Sequence, residues 1–151
     1  MGVHTTQFAI HDPKVGLYGP VLELAMETSR QAAGSNGFEP PIMIAGLVGG
    51  TAQAVREAAL AAGLGYHLGL LLLTALRGRP VDELIAPAKQ VADIIPIMGF
   101  YLQATISRMV LPREFWSRLV EMPNVRAIKI APFNRYQTLD VLEAVAQSGR
   151  R

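Results

Sequence analysis

Short, almost unbroken apolar runs, each followed by a segment of helical periodicity, constrain this chain more than any other feature. They are Ile42–Leu47, Leu68–Thr74, Pro96–Tyr101 and Val125–Pro132. Runs of this kind are what strands buried on both faces of a parallel sheet require. Residues Met1–Phe8 resemble the second half of an earlier strand, because Gly2-Val3 runs into His4-Thr5-Thr6-Gln7 with no apolar stretch before it. The strand centres recur at roughly 27 to 40 residues with helices between them, which predicts an α/β fold of parallel βα repeats. An open doubly wound sheet and part of a (β/α)8 TIM barrel both satisfy that pattern. Taken alone it favours the open sheet, since five units do not close an eightfold ring.

The connecting segments read as helices. Pro20–Ala33 carries an apolar stripe of Val21, Leu22, Leu24, Ala25 and Thr28. Thr51 is placed to cap a helix over Ala52–Ala62 that stops at Gly63 and Gly65. A third helix runs from Val81 to about Ile94, and an interior Pro87 is expected to kink it. Leu111-Pro112 opens a fourth, whose face of Phe115, Trp116, Leu119 and Val120 turns inward, and Gln137–Gln147 closes the chain. Gly46–Gly50 lacks the Lys-Ser/Thr of a phosphate loop and a full GxGxxG, so it reads as a tight strand-to-helix turn.

With 151 residues, half of them hydrophobic, the chain is expected to form one domain over 1–151 with a sizeable core. The net charge of +2 is spread among alternating acids and bases, leaving no footprint for nucleic acid. The absence of cysteine excludes disulfides and thiolate chemistry and fits the cytoplasm. Leu68–Leu76 is too short to span a bilayer, so no membrane partner is expected. His4, His11 and Asp12 match no strong metal-ligand spacing, and neither a metal nor a cofactor is expected.

The run Val125–Pro132 contains one charged group in its centre, Lys129. Strand alternation assigns Val125, Ala127, Lys129 and Ala131 to one face and Ile128 and Ile130 to the other, leaving the amine with small neighbours. An apolar setting favours the neutral amine, the form that attacks a carbonyl. The plain alternative is a lysine that snorkels to water along its own methylenes. Other polar groups gather at the expected C-terminal strand ends: His4, Thr5 and Thr6 after the first, Tyr101 and Gln103 after the fourth. Ile97, Gly99 and Tyr101 share a strand face, so Tyr101 is expected to point the same way as Lys129 if both faces look into a barrel.

Four motifs together resemble the pyruvate-dependent class I aldolases typified by dihydrodipicolinate synthase and N-acetylneuraminate lyase. They are the threonine pair Thr5-Thr6, Ile44-Ala45-Gly46 followed by Thr51, Phe100-Tyr101-Leu102-Gln103, and Val125-Arg126-Ala127-Ile128-Lys129. The interval from Tyr101 to Lys129 also agrees with the family's. The resemblance implies a truncated TIM-barrel domain comprising the second to sixth βα units. It implies that Lys129 forms the Schiff base with pyruvate or a related 2-oxo acid, and that Tyr101 relays protons. By the same resemblance Thr5 and Thr6 hold the carboxylate, Thr6 extending the relay, while His4 and Gln103 line the substrate pocket. Gln103–Arg108 stands where the family often has a Pro-Gly-Arg-Thr-like turn, and Ile130–Asn134 replaces its usual acidic and small residues, which points to a different acceptor aldehyde or none.

A partial barrel leaves strand edges that seek pairing, so the chain is expected to join missing neighbours or form a homo-oligomer. The alternative function is a non-catalytic βα module, or an inactive fragment, that binds a small anion or serves in oligomerisation.

Overall fold

The computed structural model describes residues 8–150. After a 3-10 turn at Phe8–His11 the elements follow in order: α1 (Tyr18–Asn36), β1 (Ile44–Leu47), α2 (Thr51–Leu64), β2 (Leu68–Leu71), α3 (Val81–Ala92), β3 (Ile97–Leu102), α4 (Ala104–Ser107), α5 (Arg113–Val120), β4 (Val125–Ala131) and α6 (Arg135–Gln147), with a second 3-10 turn at Thr74–Leu76 before α3. The four strands form one parallel sheet in the order β1-β2-β3-β4. The α/β alternation read from the apolar runs is thus present. The strand expected at the N-terminus lies outside the described residues, apart from Phe8, which belongs to the first 3-10 turn.

Each strand turns one set of side chains to the helices. Ala45, Leu47, Leu71, Ile97, Tyr101 and Val125 share a buried core with Leu22, Ala58, Ile85, Val91, Trp116, Leu119 and Val141 from the helices. Among the described residues the opposite face carries strand and strand-end residues, a small cluster of Leu72, Phe100 and Leu102 flanked by Val48, Leu70 and Ala131. A doubly wound sheet is covered by helices on both faces. Here the described helices pack on one.

Close packing around the central strands relies on missing side chains. A Cβ on Gly69 would collide with Leu47, which is wholly buried, and would lie 3.3 Å from Ile95. A Cβ on Gly99 would come within 2.9 Å of Leu119 on α5. At the β1–α2 turn, Gly49 has φ of 90°, a left-handed conformation that costs glycine nothing. The tight turn expected over Gly46–Gly50 is therefore found. Its cap is not Thr51: Gly50 is the N-cap, and Thr51 is already the first helical residue. Pro87 lies within α3, as expected, among the fully buried side chains.

The pairing of β3 with β4 slips by one residue near its start, matching Ile97 to Val125 but Met98 to Ala127. Arg126 is the extra residue of this bulge. Simple alternation had placed Val125 beside Lys129. The bulge instead puts Val125 into the core with Ile128 and Ile130, while Ala127, Lys129 and Ala131 keep the other face.

The loop entering β4 is held from outside by Arg150. Its guanidinium donates to the carbonyls of Val120, Met122, Pro123 and Val125 at 2.6–3.1 Å.

Replacing Gly69 by alanine is expected to destabilise the fold by about 1–3 kcal/mol, because Leu47 and Ile95 have nowhere to move. Urea unfolding should show a lower midpoint at an unchanged slope.

Candidate functional site

The C-terminal ends of parallel strands are where α/β proteins place their chemistry, and two different environments occur there. At the end of β1 the setting is polar and closed. Glu57 on α2 is buried, and its carboxylate accepts from the Val48 N–H at 2.9 Å, from Gln53 Nε2 at 2.8 Å and lies 3.0 Å from His11 Nδ1. Gln53 also donates to the His11 carbonyl at 2.7 Å. Tyr18 packs its ring 4.9 Å from His11 and donates its hydroxyl to the Gly46 carbonyl at 2.7 Å. This network ties the segment before α1 to the turn after β1. Sequence reasoning passed over Glu57, although the signal was there: an acid between Ala54, Ala58 and Ala61 on the buried face of a helix, four residues after Gln53.

At the ends of β2 and β3 the setting is apolar. A shallow, solvent-open recess with only about 10 Å³ of accessible space is lined by Leu72, Thr74, Phe100, Leu102, Met109 and Leu111, with the Tyr101 ring and Ser107 at its margin. Ser107 directs its hydroxyl to the carbonyls of Leu102 and Met109. Gln103, half-buried, is the N-cap residue of α4, a short helix that the sequence reading did not anticipate. Its carbonyl accepts from Ile106 and Ser107.

Lys129 is not among the residues that line this recess, but it shares Phe100 with it. Its register partner on β3 is Phe100, and Nζ sits 4.8 Å from the centre of that ring. Ala127 and Ala131 flank it on the same face, as expected. The amine is exposed, however, and not held dry. Nothing among the described residues covers that face over β4, so the side chain reaches water along its stem. Among the described residues no carboxylate pairs with it.

Tyr101 requires a correction. Its partner in the register is Ile130, one position beyond Lys129, so the phenol lies on the helix side of the sheet. It is buried, its ring is 5.0 Å from Trp116, and its hydroxyl donates to the Leu111 carbonyl at 3.3 Å. Burial raises its pKa above the ordinary phenol value, and the negative charge of Asp140 adds to the rise. The structure therefore brings Lys129 to Phe100 and separates it from Tyr101 by the thickness of the sheet. His4, Thr5 and Thr6 lie outside the described residues.

No protein-family model matches this chain, and no curated protein matches it significantly. Among the described residues no helix is long and apolar enough to cross a membrane.

Removing the Glu57 carboxylate leaves the Val48 N–H, the Gln53 amide and His11 without their shared acceptor. Glu57→Ala is therefore expected to cost about 3 kcal/mol in urea unfolding, and Glu57→Gln, which retains one acceptor, distinctly less.

The same corner predicts an alkaline limit. Burial pushes the Tyr18 phenol well above its ordinary range, helped by the charges of Glu57 and Tyr66. The unfolded chain ionises this group near pH 10, while the folded chain keeps it protonated. Stability from this group is thus complete below about pH 10 and falls above it, by up to about 1.4 kcal/mol per pH unit. Unfolding free energies measured from pH 7 to 11 should show the decline, and Tyr18→Phe should make it shallower.

Proposed function

We propose that this chain is a partial TIM barrel carrying the Schiff-base lysine of a lyase or synthase that acts on pyruvate or a related 2-oxo acid, similar to the dihydrodipicolinate synthase and N-acetylneuraminate lyase group. One observation supports this above the rest. Lys129 presents its amine between two alanines, over the Phe100 ring and with no carboxylate pairing it among the described residues.

In the proposed step the neutral amine's lone pair forms a C–N bond to the keto carbon as the carbonyl π pair moves onto oxygen. That oxygen takes a proton while the nitrogen gives one up to solvent, which leaves a neutral carbinolamine; the hydroxyl then takes a second proton and leaves as water as the nitrogen lone pair closes the C=N bond, and the iminium remains. Iminium formation makes the neighbouring carbon acidic, as aldol condensation or cleavage requires. Phe100 covers one side of the amine and restricts the approach of the keto group. Thr5 and Thr6 are proposed to bind the carboxylate, with His4 and Gln103 lining the pocket. Because Tyr101 lies behind the sheet, protons at the exposed amine are exchanged with solvent and not with that phenol.

The edges of β1 and β4 carry no partner strand among the described residues. We infer that further βα units or another copy of the chain complete the barrel, in a cytoplasmic oligomer. The second reading, a non-catalytic module that binds a small anion or oligomerises, draws on the same free edges and on the exposure of Lys129.

Borohydride trapping separates the two. Incubation with pyruvate and reductant should add one reduced pyruvate to the Lys129 peptide, seen by mass spectrometry, and Lys129→Ala should abolish the adduct. No adduct at saturating pyruvate would favour the non-catalytic module.

A further inference from the structure

Helix α6 has two apolar sides. Val141 and Ala144 face inward and are buried. On the other side Tyr136, Leu139 and Leu142 leave 80 %, 46 % and 51 % of their surface exposed, and the small exposed Ala146 continues the row. Leu139, Leu142 and Ala146 are spaced by three and then four residues, the interval at which side chains line a seam between two packed helices. Among the described helices α6 alone carries more than one exposed large apolar side chain; α1, α2 and α4 have one each, Leu24, Leu60 and Ile106.

The turn into α6 adds a further side chain. Phe133 is 84 % exposed, and its φ of 55° lies in the left-handed region that residues with a Cβ seldom take. It stands one residue before the Asn134 cap, the position from which an apolar side chain often folds back onto the first turn of a helix. Here the ring is turned out to water instead.

Area decides how strong a contact these groups support. Two aromatic side chains at about four-fifths exposure and two leucines at about half amount to roughly 450–500 Å² per copy, at the upper end of the largest apolar patch of a typical monomer. Doubled across a shared face, that reaches about 1,000 Å², the lower limit for a specific interface.

We propose that the outer face of α6 is the contact surface for a second copy of this chain, the two helices packing antiparallel about a two-fold axis. A two-fold needs only one self-complementary face, and no other described helix offers α6 an equal apolar surface. Antiparallel packing sets Leu139 against Leu142 of the second copy and gives the Tyr136 ring room over its small Ala146. It also brings Arg135, in the first turn of α6 and outside every salt bridge among the described residues, to the carbonyl end of the second helix, where a cation is favoured. The contact uses a helix face and not a sheet edge, so it goes beyond the edge pairing inferred above and does not rest on the role of Lys129.

Sedimentation equilibrium of the whole chain from about 1 to about 200 µM should show a monomer–dimer equilibrium with a dissociation constant on the order of tens of micromolar. Leu139→Glu and Leu142→Glu should each weaken it at least about tenfold, while Leu24→Glu on α1 leaves it unchanged. All three positions are exposed, so far-UV circular dichroism should match the parent; were either leucine variant to unfold, Tyr136→Glu takes its place. The chain has no cysteine, so a mixture of Leu139→Cys and Leu142→Cys chains under mild oxidation should form the mixed disulfide, and one of Leu139→Cys and Leu24→Cys chains should not. A monomer throughout this range, as a further βα unit or another protein occupying the face would require, overturns the proposal. So does association indifferent to the α6 substitutions, which would place the contact at the strand edges, or growth beyond the dimer, which a two-fold does not permit.

Discussion

The pairing of β4 against β3 decides the character of this molecule, because in a strand a shift of one residue exchanges every side chain between faces. The extra residue at Arg126 absorbs such a shift within the first turn of pairing. Val125 goes into the helix-side core, Ala127, Lys129 and Ala131 go to the opposite face, and Ile128 and Ile130 complete the core behind them. Without the bulge, a sheet that buried Val125 would turn Lys129 inward against α5 and α6. The amine's position beside Phe100 is therefore a product of register, and register is held by hydrogen bonds along the whole of β3.

That dependence explains which parts of the fold were legible beforehand. Apolar runs and helical stripes mark buried elements directly, so the four described strands and the five longer helices sit close to where the sequence puts them. Ala127 and Ala131 beside Lys129 were legible for the same reason, since alternation within one strand is local. The relation of Tyr101 to Lys129 was not. Their spacing passes through α4, α5 and two loops, each of which resets the parity between strand faces, and the pairing that restores it is a long-range property. The exposure of the amine was equally hidden, because an apolar neighbourhood in sequence says nothing of whether an element covers the face.

Glu57 teaches the complementary lesson. A carboxylate in an alanine-lined helical face must find donors or remain outside, and here it finds a backbone N–H, an amide and an imidazole. Its neighbours in sequence reveal that it is buried, but only the folded chain reveals that His11, far earlier in sequence, is one of its partners. The sheet's C-terminal rim is consequently divided. Its β1 side is saturated with hydrogen bonds and closed, and its β2–β3 side is greasy and open.

Arg150 illustrates how a planar cation differs from a round one. Four carbonyl oxygens turn toward its two terminal nitrogens from successive points along one loop, and only a forked guanidinium has N–H vectors spread widely enough to serve them together. A lysine at this position would keep the charge yet reach fewer of these oxygens, leaving peptide dipoles of like orientation facing one another just upstream of the bulge. Conserving charge at position 150 is thus not the same as conserving the splint that sets where β4 begins.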